Sequence, residues 1–167
     1  MDIDIATNPN ISLLDQVKMQ AQVLVPVLRA LRTELGDERA NRIVSTALRQ
    51  WAREMFHRIG AQLPGSRREK WAAMTGASMP RIGSDIDVQV LKQDADAMEF
   101  NITGCRYADF FRQLGEPELG AVLLCESDLH VAEVGSPEVE LTRTQTIMQG
   151  AGYCDFRYRL KKAAGSP

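Results

Sequence analysis

The sequence predicts an α+β fold, in which an N-terminal helical hairpin packs on a small antiparallel sheet of about four strands with interspersed short helices. Two observations predict it. Apolar residues recur at intervals of three and four through residues 12–59, as they do on one face of a helix. From Ile86 onward the interval changes to two, which is typical of strands with one buried face.

The first predicted helix runs from Ser12, which can cap it, to Leu35, where Gly36 can end it. Pro26 lies inside this segment. Because proline removes a backbone hydrogen bond and clashes with the preceding turn, we expect a kink or a break between two shorter helices there.

The second predicted helix runs from Asp37 to Ile59 and ends at Gly60, with Pro64 close behind. One side of this helix is predicted to be apolar, and it holds Ala40, Ile43, Ala47, Trp51, Met55 and Ile59. The two helices form a hairpin subregion over residues 1–63. A polar stretch and a short turn of helix around Trp71 follow it.

Strands and short helices fill the second subregion, residues 84–160. Two alternating runs, around Val88 and around Phe100, flank the turn-prone segment Gln93–Asp96 and predict a hairpin. The remaining predicted elements are helices over Cys105–Leu114 and Pro117–Leu124 and strands over Val139–Ile147 and Tyr153–Leu160.

Length and composition exclude several classes of protein. The 167 residues predict a single domain, 1–167, with an ordinary apolar content. A net charge of -2 leaves no basic surplus for a phosphate backbone, so we expect no nucleic-acid partner. No apolar run approaches the length of a membrane span, and Met1–Asn10 lacks the basic and apolar parts of a secretory signal, so we expect neither membrane insertion nor export.

The three cysteines indicate a compartment. They are odd in number and far apart, which suits free thiols in a reducing environment and predicts a cytoplasmic protein. The apolar stripes of the hairpin could serve a homo-oligomer as readily as a core.

Cys105 is the first candidate for catalysis, since it follows Gly104 where a strand turns into a helix. Unpaired N–H groups and the helix dipole, together with Arg106, are expected to lower its pKa and to yield a nucleophilic thiolate. The alternative is a small buried apolar residue.

Cys125, Asp128 and His130 lie within six positions on the loop predicted after Leu124. They supply a thiol, an acid and a base within reach of one another, although an exposed loop with a buried cysteine would look the same. Zinc could use such ligands, but the cysteines are not in close pairs, so we expect no metal and no cofactor.

Arg143, Thr144 and Thr146 lie in a polar strand and can bind a small carboxylate, unless the strand is merely an exposed threonine-rich face. After Gly150, the sequence brings Cys154 and Asp155 to the start of the last strand, with their side chains on opposite faces. Only one of these two can easily enter a given site.

Four segments in order resemble the L-2-amino-thiazoline-4-carboxylic acid hydrolase family. They are Phe100–Tyr107, Leu124–Asp128, Glu140–Gly150 and Cys154–Tyr158, and the resemblance covers roughly the C-terminal part of the chain. The resemblance implies that the important positions of the motifs are Cys105, Cys125, Asp128, Arg143, Thr144, Gly150, Cys154 and Asp155. His130 is not carried over, and its role depends on local chemistry alone.

The resemblance implies a small-molecule substrate and hydrolysis of a C–N or C–S bond in a carboxylated cyclic amidine, giving a carbamoyl-cysteine type of product. Arg143, helped by Thr144 or Thr146, would hold the carboxylate, and Asp128 or Asp155 would pair with the amidinium and move protons. Either a thiolate, Cys105 before Cys125, attacks the amidine carbon, or a carboxylate activates water. A non-catalytic ligand-binding or sensor domain using the same pocket is the competing hypothesis.

Overall fold

The computed structural model describes residues 11–161, and the predicted α+β fold is confirmed. Met1–Asn10, which the sequence predicts not to be a secretory signal, lies outside the described residues. The helices are α1 Leu13–Leu35, α2 Asp37–Gln62, α3 Arg67–Ile82, α4 Arg106–Leu114, α5 Pro117–Gly120 and α6 Ser127–Gly135. The strands are β1 Ile86–Gln93, β2 Ala97–Cys105, β3 Val139–Thr142 and β4 Cys154–Leu160. A π-helical turn, Ala121–Cys125, follows α5, and 3₁₀ turns cover Gly83–Asp85 and Ile147–Gln149.

Helix α1 begins and ends where the sequence predicts. The Ser12 hydroxyl accepts the N–H of Asp15 at 3.0 Å, and Gly36 ends the helix at a φ of 78°. The helix nevertheless runs unbroken through Pro26, so the expected break into two shorter helices does not occur, and the kink stays a prediction. Val25 and Leu28, on either side of the proline, are buried in the core, and this packing holds both halves in one helix.

Helix α2 is buried on a face that coincides only partly with the predicted one. Ala40 and Met55 of the predicted face are buried or partly buried, whereas Trp51 and Ile43 are each 46% exposed. The other buried or partly buried residues are Asn41, Val44, Ser45, Leu48, Ala52, Phe56 and Gly60. Helices α1 and α6 both pack against α2, and their positions select the buried face.

Gly60 does not end α2, which continues to Gln62 just before Leu63 and Pro64. A Cβ at Gly60 would lie 2.5 Å from Cγ1 of Val134 in α6, so the glycine permits close approach of two helices. The helical conformation is unfavourable for a residue that precedes a proline. Leu63, which precedes Pro64, is therefore extended, and helix α2 ends there.

Helix α3 is much longer than the short turn predicted around Trp71. A capping box starts it, because Ser66 accepts the N–H of Glu69 while the Glu69 carboxylate accepts the N–H of Ser66. Trp71 is buried against Tyr158 of β4, with 5.0 Å between ring centroids. This contact fixes α3 on the sheet.

The four strands are all antiparallel in the order β1-β2-β4-β3. The β1–β2 hairpin is confirmed, while β3 ends at Thr142, earlier than predicted. Alternation along β4 turns Cys154, Phe156, Tyr158 and Leu160 towards the helices and Asp155, Arg157 and Arg159 towards the other face. The helix-facing side of the sheet therefore presents a thiol beside aromatic rings. No helix within residues 11–161 is both long and apolar enough to cross a membrane.

Candidate active site

Aromatic rings form the base of the candidate site on the helix-facing side of the sheet. Phe100 of β2 pairs in register with Phe156 of β4, and their rings stack with centroids 4.8 Å apart. Phe156 and Tyr158 are buried. The base is apolar, whereas Arg143 and Asp128 next to it are charged.

Arg143 lies over this base, one residue beyond the end of β3. Its guanidinium carbon is 5.3 Å from the centroid of the Phe156 ring, and its Nη1 donates a hydrogen bond of 2.6 Å to the Asp128 carboxylate. Its side chain is 7% exposed. A charge buried this far needs a partner, and Asp128 provides it.

Asp128 lies in the first turn of α6, and 41% of its side chain remains exposed. Burial by the surrounding protein raises the pKa of Asp128 to about 6, while the charge and hydrogen bond of Arg143 act to lower it. Because solvent reaches the open side of the carboxyl, we expect water to moderate this shift. A carboxyl in this range can accept and return a proton near neutral pH.

Cys105 occupies the predicted position at the start of α4, and its sulfur accepts the N–H of Ala108 at 3.4 Å. The expected lowering of its pKa is wrong. Burial raises the pKa of the Cys105 thiol, and the hydrogen bond from Ala108 opposes that effect without overcoming it.

Cys125 ends the π-helical turn, and Cys154 begins β4. Burial, assisted by the charge of Asp128, raises the pKa of Cys125 to about 12. Burial also raises the pKa of Cys154, whose sulfur accepts the N–H of Ile147 at 3.2 Å. All three cysteines are therefore protonated thiols at neutral pH.

The same electrostatic effects indicate that these groups are neighbours. Asp128 and Arg143 act on both Cys125 and Cys154, and Cys154 acts on Cys105. We call Cys105, Cys125, Cys154, Asp128 and Arg143 the thiol–arginine cluster. Side chains from separate segments of the second half of the chain are thus close enough to influence one another, and the three cysteines pack in or against the same core as Phe156.

A family model described as L-2-amino-thiazoline-4-carboxylic acid hydrolase matches residues 16–158, from α1 to β4. The chain belongs to this family. The resemblance inferred from the C-terminal motifs is confirmed, and the match extends it over the N-terminal hairpin. No curated protein matches the chain.

Asp155 and Thr144 lie outside the cluster. Both belong to the motifs by which this chain resembles the thiazoline hydrolase family. Asp155 is on the opposite face of β4, where it accepts the Thr144 N–H and hydroxyl at 2.9 and 2.7 Å and the Gln145 N–H at 2.8 Å. Although burial acts to raise it, these hydrogen bonds lower the pKa of Asp155. The pair anchors the loop that carries Arg143, and Thr144 binds Asp155 on the face of the sheet opposite to the cluster.

Thr146 and Gly150 flank the turn Ile147–Gln149. Thr146 is buried, and its hydroxyl accepts the N–H of Gln149 and donates to the Gln149 side chain. Gly150 closes the turn at a φ of 99° and faces a separate cleft. The structure does not bring either residue into the thiol–arginine cluster.

His130 lies on the opposite side of α6 from Asp128. Its Nδ1 is 3.4 Å from the Glu133 carboxylate, which also lies 3.5 Å from Arg53 and 3.9 Å from His57 of α2. Two residues along a helix point about 200° apart, so Asp128 and His130 cannot face one site. The predicted role of His130 in binding is not supported by its position.

Sequence reasoning missed the aromatic base. Cys154, Phe156 and Tyr158 stand at every second position along β4. This spacing alone would have placed both rings on the same face as the thiol. Within residues 11–161, no group of three His, Cys, Asp or Glu side chains is arranged to hold a metal ion.

Proposed function

We propose that this protein hydrolyses a small carboxylated cyclic amidine, L-2-amino-thiazoline-4-carboxylate or a related isothiourea, by attack of water at the amidine carbon. The single observation that carries the proposal is the Arg143–Asp128 pair at 2.6 Å above Phe156. It combines a cation for the substrate carboxylate with an acid–base group, and the family description names such a substrate.

Arg143 holds the substrate carboxylate in this proposal. Its hydrogen bond to Asp128 uses Nη1, and Nε and Nη2 have no hydrogen-bond partner within residues 11–161. Those two donors can bind a carboxylate as a pair. The Phe156 ring beneath them keeps the guanidinium in place.

Asp128 pairs with the amidinium and serves as the general base. With a pKa near 6 it is mainly ionised at neutral pH, so it can take a proton from a water molecule that attacks the amidine carbon. Water adds to the amidine carbon and gives a tetrahedral adduct, whose collapse to the carbonyl breaks the carbon–sulfur bond of the ring. Asp128 returns its proton to the leaving sulfur, and the hydroxyl proton of the adduct is released to solvent as the amidinium becomes a neutral urea. One water is consumed and a carbamoyl-cysteine product is released.

The thiols line the site and do not attack the substrate in this mechanism. Burial raises the pKa of all three, and the sulfurs of Cys105 and Cys154 each accept a backbone N–H. A thiol nucleophile would need to ionise against that burial. We therefore propose the carboxylate-and-water route over the covalent route.

Mass spectrometry after incubation with L-2-amino-thiazoline-4-carboxylate tests the reaction and the bond that breaks. Cleavage of the carbon–sulfur bond adds the mass of one water and creates a new thiol on the product. Cleavage of the ring carbon–nitrogen bond adds the same mass without a thiol, and cleavage of the exocyclic bond releases ammonia. Either of these last two outcomes would refute the proposed bond.

The competing sensor function makes a different prediction in the same experiment. A sensor domain binds the thiazoline saturably, as calorimetry would record, and returns it unchanged. If thiazolines and open isothioureas all bind saturably and none gives a product, the sensor function is supported and the hydrolase function is refuted.

A further inference from the structure

A cleft separate from the thiol–arginine cluster lies between helix α2 and the segments that follow α4. Its volume is about 770 Å³, which is in the range of small-molecule sites. One wall is α2, and the other is formed by α5, the π-helical turn and the turn Ile147–Gln149.

The floor of this cleft is apolar. Val122 of the π-helical turn and Met148 of the 3₁₀ turn contribute to it, and both are buried to at least nine-tenths of their surface. Pro117 and Ala121 extend the same surface. An occupant therefore needs an apolar part.

Hydrogen-bond donors dominate the rim. Arg42 gives one hydrogen bond of 3.1 Å to Glu38 from Nη1, which leaves Nε and Nη2 without a partner within residues 11–161. Gln149 accepts the Thr146 hydroxyl with its amide oxygen, so its amide nitrogen remains to donate. Ser45 adds a hydroxyl.

The acidic side chains of the lining do not balance these donors. Both oxygens of Glu126 are occupied by Arg49, at 2.6 and 2.9 Å. Glu118 is the second carboxylate of the lining, which holds three arginines, Arg42, Arg49 and Arg112. Arg42 also pairs with Glu38 outside the lining, and Arg112 donates to the carbonyl of Ile147. A negatively charged ligand rich in acceptor oxygens fits this arrangement.

The cleft and the cluster are adjacent, and no residue of the cluster lines the cleft. Val122 of the π-helical turn lines the cleft, whereas Cys125 of the same turn belongs to the cluster. Met148 lines the cleft, whereas the N–H of its neighbour Ile147 donates to the sulfur of Cys154. The two sites therefore have different lining residues.

We infer that this cleft is a second binding site, which takes an organic anion with an apolar body, a carboxylate or a phosphate monoester. The apolar body lies on Val122 and Met148, and the anionic group is held by Arg42, Ser45 and Gln149. The inference goes beyond the proposed hydrolysis and does not depend on it.

Calorimetric titration of the full chain with benzoate, phenyl phosphate and inorganic phosphate tests the site and distinguishes the two anions. We expect saturable binding of benzoate or phenyl phosphate, and weaker binding of inorganic phosphate, which has no apolar body. Absence of saturable binding by both aromatic anions overturns the inference, as does inorganic phosphate binding as tightly as phenyl phosphate.

Arg42→Glu and Arg39→Glu form a matched pair of variants. Both reverse one exposed charge in α2, but Arg39 does not line the cleft. Arg42→Glu should weaken binding of the aromatic anion about 10-fold or more, and Arg39→Glu should leave it within about 2-fold. An equal loss of affinity in the two variants would show that the anion responds to the general surface charge, and it would overturn the proposed site.

Arg143→Lys separates this site from the proposed active site. Binding of the aromatic anion should be unchanged in this variant, because Arg143 does not line the cleft. If Arg143→Lys abolishes binding, the anion occupies the thiol–arginine cluster and the second site is refuted. Failure of thiazoline turnover leaves these titrations unaffected, so the two proposals fail independently.

Discussion

At the scale of single residues, Arg143 combines two contacts with two hydrogen-bond donors that are free within residues 11–161. Its guanidinium lies over a phenyl ring, donates to a carboxylate and keeps two donors unused. Buried arginine is unfavourable without compensation, and here the compensation is the pair that we propose for binding and proton transfer.

Arg143→Lys should raise KM for L-2-amino-thiazoline-4-carboxylate about 10–100-fold with a smaller effect on kcat, since lysine keeps the charge and loses the paired donors. Steady-state kinetics measure this. Turnover of 2-aminothiazoline, which has no carboxylate, should be similar in the variant and the wild type. An equal loss on both compounds would contradict carboxylate binding by Arg143.

The pH dependence of kcat/KM should follow Asp128. Its pKa is raised to about 6 and the ionised form is the base, so activity should be full above that value. It should fall about tenfold per pH unit below it. Asp128→Asn keeps an acceptor for Arg143 but cannot take a proton, so its residual activity should be low and independent of pH. A normal pH profile in this variant would exclude Asp128 as the base.

Single substitutions of Cys105, Cys125 and Cys154 by alanine should each retain activity within about 10-fold, because water is the proposed nucleophile. Initial rates measured on folded variants check this. A loss of several orders of magnitude in one variant alone, accompanied by a trapped covalent adduct in the wild type, would restore the thiolate mechanism.

At the scale of elements, the packing of α2 on α6 depends on Gly60. The methyl group of an alanine there would lie 2.5 Å from a γ-carbon of Val134, a stiff β-branched side chain. Glycine in a helix interior normally costs stability, and in α2 the close approach of two helices compensates for it.

Gly60→Ala should lower the free energy of unfolding by about 1–3 kcal/mol, the usual effect of overpacking. Gly76→Ala in α3 is the matched control, since nothing lies within 4 Å of its added Cβ. That variant should gain about 0.5–1 kcal/mol from helix propensity. Chemical denaturation measures both, and destabilisation by Gly76→Ala would argue against this account of packing.

At the scale of the whole molecule, Glu116 ties the N-terminal hairpin to the second half of the chain. It is 2% exposed and accepts from Arg29 at 3.2 Å and Arg32 at 2.9 Å, both in α1. Arg29 also donates to the backbone of Leu114 at 2.9 Å. These contacts join α1 to the segment between α4 and α5.

Glu116→Ala should lower the free energy of unfolding by about 2–4 kcal/mol, because it leaves two arginines without their shared carboxylate. The effect of Glu38→Ala, which removes an exposed pair with Arg42, should stay within about 0.5 kcal/mol. If the chain is one domain, as its length predicts, unfolding monitored by tryptophan fluorescence and by circular dichroism should coincide. Two separate transitions would show that the hairpin and the sheet unfold independently.

The sequence by itself determined the features that depend on neighbours along the chain. Ser12 and Gly36 bound α1, alternation defined β2 and β4, and the strand-to-helix junction placed Cys105 at the start of α4. Caps, periodicity and turns are local, so they can be predicted without knowing what packs against them.

Only the tertiary structure decided which surfaces meet. It chose the face of α2 that is buried, turned His130 away from Asp128 and paired Arg143 with Asp128 fifteen residues away. It also reversed the expected shift in the pKa of Cys105, because burial outweighs the backbone N–H donors of Ala108 and Tyr107. Burial, charge pairing and pKa depend on groups from distant segments, and the order of residues along one chain does not specify those distances.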